Sequence, residues 1–216
     1  MRPGPIRAII GGAVGQGSEV GAGGTLSPSQ SPPLRQGGGE ENALRQGEWT
    51  RMSDKPITRE RLLRILDAQA AKTTEVIAGL DDLALMQPAR SDGWTAKEIL
   101  AHMAWGYEGM LAVAEGQVPG GVDASTFDLD AFNEAQRQRV ADLSVAEVLN
   151  WLGSARRRVR ECIEQLDEAH FGEVVHTPWM GDHPRAQFLM FPSLHEGGHR
   201  AELERWRASL EAEADE

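Results

Sequence analysis

The chain has 216 residues, a single cysteine and a net charge of -11 at pH 7. That length supports one domain with a real core, or one domain and a tail. The acidic balance argues against a nucleic-acid partner, one cysteine excludes an intrachain disulfide, and no apolar run reaches the roughly 18 residues that a membrane span needs. A reducing, cytoplasmic setting is the expectation, with neither nucleic acid nor membrane as a partner.

Residues 1–51 hold 12 of the 24 glycines and 5 of the 11 prolines, in strings such as "GGAVGQGSEVGAGG" and "SPSQSPPLRQGGGEEN". No sustained apolar period runs through them. Burial there cannot offset the entropy of ordering, so they read as a disordered tail. The short, glycine-broken "AIIGGAV" fits a secretory signal poorly. Met52 opens "MSDKPITRERLL", which has the character of a protein start. Residues 1–51 therefore read as a mis-assigned gene start, and residues 52–216 as the domain.

Past Met52 the apolar period is helical. Thr58 is placed to cap a helix over 59–80, with Leu62, Ile65, Leu66, Val76, Ile77 and Leu80 on one stripe. Thr95 and Glu98 form a capping-box pattern ahead of a helix over 96–115, whose stripe is Ile99, Leu100, Met103, Met110 and Leu111. A glycine-rich loop leads to a shorter helix over 128–141. Ser144 and Glu147 repeat the capping box before a long helix over 145–167. Within it, Arg156-Arg157-Arg158 reads as a solvated face and Cys162 as a small core residue. "HFGEVVHTPWMGDH" is irregular, with no convincing strand alternation. Pro184 suits the first turn of a last helix over 184–211, with a kink expected at Pro192. The fold class is all-α: a four-helix bundle with one extra short helix.

The last helix contains "SLHEGGHRAEL", in which His195-Glu196-Gly197-Gly198-His199 spells the H-E-x-x-H of zinc proteases. Two histidines four apart share a helix face and chelate one metal, with the glutamate as base. A protease also needs a third ligand downstream. Here "RAELER" follows, with no glycine or third histidine, and the chain ends on the same helix. Any third ligand lies upstream, among His102, His170, His176 and His183. His102 lies mid-helix beside the core stripe; His176 and His183 sit in a polar stretch and read as surface residues. Gly197 and Gly198 read as room for a neighbouring helix or a ligand.

"GWTAKEILAHMAW" together with "LHEGGHRAEL" resembles the DinB-like superfamily of metal-binding four-helix bundles, over roughly residues 58–210. That group includes YfiT-like proteins and the mycothiol-dependent maleylpyruvate isomerase type. "AFNEAQRQRVADLSVAEVLNWL" also resembles the ClbS/DfsB-like branch. The resemblance implies His102, His195 and His199 as ligands of a divalent metal with one open position. Zinc is the expected metal, with nickel and iron also suited to imidazole. It further implies a detoxifying thiol transferase or isomerase, using a low-molecular-weight thiol such as mycothiol as co-substrate. The ClbS/DfsB-like branch implies instead a metal-independent hydrolase of a reactive small molecule. A non-catalytic ligand-binding bundle, or a homodimer formed through apolar helix faces, is the third reading.

Two neighbours have two readings each. Glu196, beside a ligand, is a catalytic base or orienter, or else a solvated helix glutamate. Trp105, three residues past His102, walls a pocket or packs in the core. Tyr107 falls off that face and is set aside. Arg200 meets a carboxylate or a thiol cofactor, or else forms a surface salt bridge.

Overall fold

The computed structural model describes residues 57–117, 129–177 and 181–214. The expected tail and gene start at 1–51 lie outside these residues. Four long helices form the body: α1 (Arg59–Ile77), α3 (Ala96–Ala114), α5 (Val145–Gln165) and α6 (Arg185–Ala214). A four-residue α2 (Asp82–Leu85) follows α1, and the shorter α4 (Leu129–Arg139) precedes α5.

Local chemistry starts these helices where the residues indicate. Thr58 accepts from the Arg61 amide, and both capping boxes close, Thr95 with Glu98 and Ser144 with Glu147. α1 stops at Ile77 rather than 80, because Gly79 takes a φ of 78° that only glycine adopts cheaply. α6 continues through Pro192.

Two elements depart from the expectation. Val174–Thr177 (β1) pairs antiparallel with Gly181–Pro184 (β2) in what was read as irregular chain. Along β1 only Val175 and Thr177 are buried, and two such positions are too few to show a period in sequence. α2 was also missed; Asp81 caps it by accepting from the Ala84 amide at 2.8 Å.

α1 and α3 each pack against both α5 and α6, which puts α5 and α6 across the bundle from each other. The core joins Leu62 and Leu66 to Ile99, Leu100 and Met103, Val148, Leu152 and Ile163, and Phe188, Leu189 and Leu203. α3 is apolar nearly all round, as suits a helix with neighbours on most sides.

Basic side chains hold the helix ends together. Arg59 donates to the carbonyls of Ile163 (3.1 Å) and Leu166 (2.8 Å), closing the end of α5. Arg207 donates to the carbonyls of Glu75, Val76 and Ala78 at 3.2, 2.6 and 3.1 Å, closing the end of α1. Buried Lys97 donates to the carbonyls of Ala141 (3.0 Å) and Leu143 (2.9 Å). Each cation meets carbonyls at a helix end or a turn, where intrahelical amide donors run out.

These contacts rank two substitutions. Phe188 is 1% exposed, so Phe188→Ala removes a full core side chain and should cost about 3–5 kcal/mol. Arg207 is about one-third exposed, so water replaces much of what Arg207→Ala removes and the loss should be about 1 kcal/mol. Urea unfolding checks the order; equal losses would mean that the carbonyl clamp matters as much as a full core side chain.

Candidate metal centre

A tight turn aims the site. Gly93 has a φ of 86°, and the Ala89 amide donates to the Trp94 carbonyl at 2.7 Å. The chain thus reverses directly into α3, with Trp94 just ahead of the cap. Two turns into α3 stands His102. α6 packs on α3 and presents His195 and His199, which share a face by their spacing.

The three rings meet. His195 Nε2 lies 3.1 Å from His102 Nε2 and 3.1 Å from His199 Nε2. Ring centroids are 4.5–4.8 Å apart. Among the described residues, these three form a cluster whose ligand atoms lie within 4.8 Å of one another. Three nitrogens bound to one tetrahedral zinc at about 2.0–2.1 Å stand roughly 3.3 Å apart. An imidazole nitrogen has one in-plane site, a lone pair or a proton. His195 Nε2 cannot make two well-directed hydrogen bonds at once, whereas one cation takes all three lone pairs. The donor set fits a divalent metal.

Neighbouring groups fix the donors. His199, 5% exposed, donates from Nδ1 to Glu202 Oε2 at 2.9 Å, which leaves its Nε2 lone pair toward the cluster. Burial alone would raise the Glu202 carboxyl, but the His199 hydrogen bond and the Arg90 charge outweigh it and hold it below the usual range. Gly106 supplies space: a Cβ there would stand 3.1 Å from His195 Nδ1.

Aromatic rings surround the cluster. Trp105 stacks beside His102 (6.4 Å between centroids, 21°), and α4 brings Phe132 edge-on to Trp105 at 4.8 Å. Trp94 meets His102 edge-on at 5.6 Å, and Phe191 stacks on His195 at 5.7 Å. Trp105 is half-buried between a site histidine and an aromatic neighbour. The Arg90 and Arg137 guanidiniums lie over the Trp94 ring at 5.3 and 5.9 Å.

Glu196 is not solvated. It is fully buried, and both carboxylate oxygens are engaged. Arg156 of α5 reaches across the bundle and donates Nη2 to Oε1 and Nε to Oε2, the latter at 3.1 Å. Tyr107 of α3 donates to Oε2 at 2.6 Å. This corrects two sequence expectations, a solvated Glu196 and a solvated Arg156, and gives a partner to Tyr107, which spacing had set aside. Spacing places a residue on a helix face, but it does not reveal which distant side chain reaches that face. The one available signal was a glutamate at a core-facing position, which requires a buried partner.

The remaining candidates lie outside the cluster. His170 bonds Glu173, His176 bonds Asp182 at 2.6 Å, and His183 bonds Gln187 at 3.0 Å. Arg200 pairs with Glu204 at 2.9 Å and with Gln69. Gly197 is room for a neighbouring helix, since its Cβ would meet Gln69 at 3.2 Å, whereas Gly198 faces open space. Cys162 is half-buried at the rim of a cleft of about 360 Å³ rather than in the core, and burial pushes its thiol up.

The chain belongs to the DinB superfamily, whose sequence profile matches residues 43–203. Solved structures share the fold. YfiT from Bacillus subtilis, described as a probable metal-dependent hydrolase with an unusual four-helix bundle topology, is 17% identical, with a TM-score of 0.53 over 70% of this chain and 87% of its own. The colibactin self-resistance protein ClbS, solved with a dsDNA, is 12% identical, with a TM-score of 0.58 over 69% of this chain and 95% of its own. A mutant of the mycothiol-dependent maleylpyruvate isomerase is 15% identical, with a TM-score of 0.56 over 70% of this chain. The match spans only 62% of that isomerase. At such identities the likeness establishes the fold. No curated protein matches the chain by sequence.

Two measurements test this geometry. Gly106→Ala should push His195 by a few tenths of an ångström and weaken metal binding, while Gly198→Ala should raise stability by about 0.5–1 kcal/mol and leave binding alone. Parallel metal titrations and thermal melts compare the two; equal metal affinities would remove Gly106 from the site. Tyr107 is the only tyrosine, so phenolate absorbance reports it alone. Burial, with the Glu196 charge and hydrogen bond beside it, holds its hydroxyl well above the usual phenol range. A folded pKa above the unfolded one contributes stability below the unfolded value, about 10, and loses it as pH rises further. Phenolate should therefore appear only with alkaline unfolding; ordinary titration in the folded chain would place the hydroxyl away from Glu196.

Proposed function

We propose that this DinB-superfamily chain is a metal-dependent enzyme acting on a small electrophilic molecule, with His102, His195 and His199 holding a divalent cation. Zinc is the first choice, with nickel or iron also suited to three imidazoles. The observation that carries this reading is His195 Nε2 lying 3.1 Å from both partner nitrogens. A cation held there would act as a Lewis acid and would keep a bound low-molecular-weight thiol as its thiolate.

The chain's own residues do the rest. Glu202 keeps the His199 proton on Nδ1. Trp94, Trp105 and Phe191 flank the histidines with ring faces and edges, which suits a flat or unsaturated substrate. Thiol addition is favoured over hydrolysis because Arg156 and Tyr107 engage Glu196, while His199 engages Glu202. Both oxygens of Glu196 are occupied, which disfavours it as a base for water, and a coordinating thiol needs no such base. Cys162, with its thiol pushed up, favours an external co-substrate over an internal nucleophile. The mycothiol dependence of the isomerase neighbour supports the same choice. Hydrolysis is the second reading, on the strength of the YfiT likeness. The net charge of -11 favours a small molecule over nucleic acid.

The test is metal per chain by elemental analysis, followed by turnover of an activated alkene with and without added thiol. About one divalent ion should be bound, and His102→Ala and His195→Ala should lose it. Glu202→Ala should weaken it by about 10–100-fold. A wild-type chain that stays metal-free after loading ends the reading. Thiol-independent cleavage of an activated ester, with no thiol-dependent turnover of the alkene, moves it to hydrolysis.

A further inference from the structure

We infer that Glu196 is a positioning residue: held by Arg156 and Tyr107, it sets the rotation of α6 about its axis and so aims His195 and His199 at His102. This rests on the metal reading above and deepens it.

Phe188 and Leu189 before the ligand segment and Leu203 after it anchor α6 in the core. Within the segment, Pro192 lacks the amide that would bond one turn back. Gly197 and Gly198 stand between the two histidines and carry no side chain, although Gly197 lies close to Gln69 of α1. Here one side chain reaches both α3 and α5. Glu196 accepts from Tyr107 on α3 and from Arg156 on α5, which lies across the bundle. Tyr107 Oη also lies 3.5 Å from Ser193 Oγ, one turn earlier on α6.

Magnitudes show why rotation matters. Successive residues stand about 100° apart on a helix, and those four apart about 40°. With Glu196 fixed toward α5, His195 and His199 fall together on the α3 side. Cα atoms lie about 2.3 Å from the axis and an imidazole reaches several ångströms farther, so a turn of ten degrees carries Nε2 on the order of 1 Å. Ligand distances tolerate about 0.2 Å. A buried ion pair has exacting geometry and is a costly way to gain stability, so a role in specifying one arrangement suits it better.

The experiment is a cobalt(II) titration of the full chain, read by visible absorption, with histidine NMR shifts of the metal-free protein beside it. Glu196→Gln should bind cobalt about tenfold more weakly, with an altered band, and should move the histidine resonances while helical circular dichroism persists. Tyr107→Phe should do the same to a smaller degree, and it carries the test where Glu196→Gln does not fold. Glu196→Met with Arg156→Met should recover thermal stability without recovering cobalt affinity. Wild-type affinity, band and shifts in Glu196→Gln and Tyr107→Phe would overturn the inference. So would Glu196→Gln that keeps the wild-type band yet loses turnover, since that describes a base. If the wild-type chain binds no cobalt, the metal reading falls, and unchanged histidine shifts then count against positioning on their own.

Discussion

A carboxylate without solvent exposure, at the meeting of three helices, is the constraint around which this bundle is arranged. Glu196 cannot be left alone in that interior, because an unpaired buried charge costs several kcal/mol. Arg156 and Tyr107 must reach it, and each comes from a different helix. That requirement ties α5 and α3 to α6 through one carboxylate, in addition to the apolar core. His195 precedes this point by one residue and His199 follows it by three, both turned to one side of Glu196 on the helix.

The site therefore has two polar layers with separate roles. The cluster is built from neutral donors, and the charge nearest to it is Glu202, fixed by His199 and close to Arg90 at 3.9 Å. The second layer carries the buried Glu196–Arg156 pair. The Glu196–Arg156 pair points away from the rings, and Glu202 meets the cluster only through the far nitrogen of His199. Three neutral imidazoles would leave a divalent ion its full charge, which suits polarising a ligand. Aromatic rings rather than acids fill the space around them, so the environment of the cluster is apolar at short range.

How far this was legible from residues depends on the range of each signal. Capping boxes act within four residues, and both were readable and are formed. Apolar stripes act over one helix, and the four long helices follow them. The ring cluster needs two helices to meet, yet His102 and the His195–His199 pair were singled out because family resemblance supplied the pairing that spacing alone left open. The Glu196 partners were not legible. Arg156 stood in a run of three arginines and looked like a solvated face, and Tyr107 lay five residues from His102, off its face. Only the packing of α3 and α5 around α6 brings them to one oxygen. The hairpin was missed for the opposite reason, since two buried positions carry too little pattern.

The string H-E-x-x-H shows the same lesson chemically. In a protease helix the glutamate points with the histidines toward metal-bound water. Adjacent helix positions diverge by about 100°, so the same five letters also permit a glutamate that turns into the core. Which of these occurs is decided by what waits in the core. An arginine and a tyrosine capture the carboxylate; an apolar wall would force it outward to the cluster. The string fixes only where two imidazoles fall on a helix. The chemistry of the residue between them belongs to Arg156 and Tyr107, which lie 40 and 89 positions away in sequence.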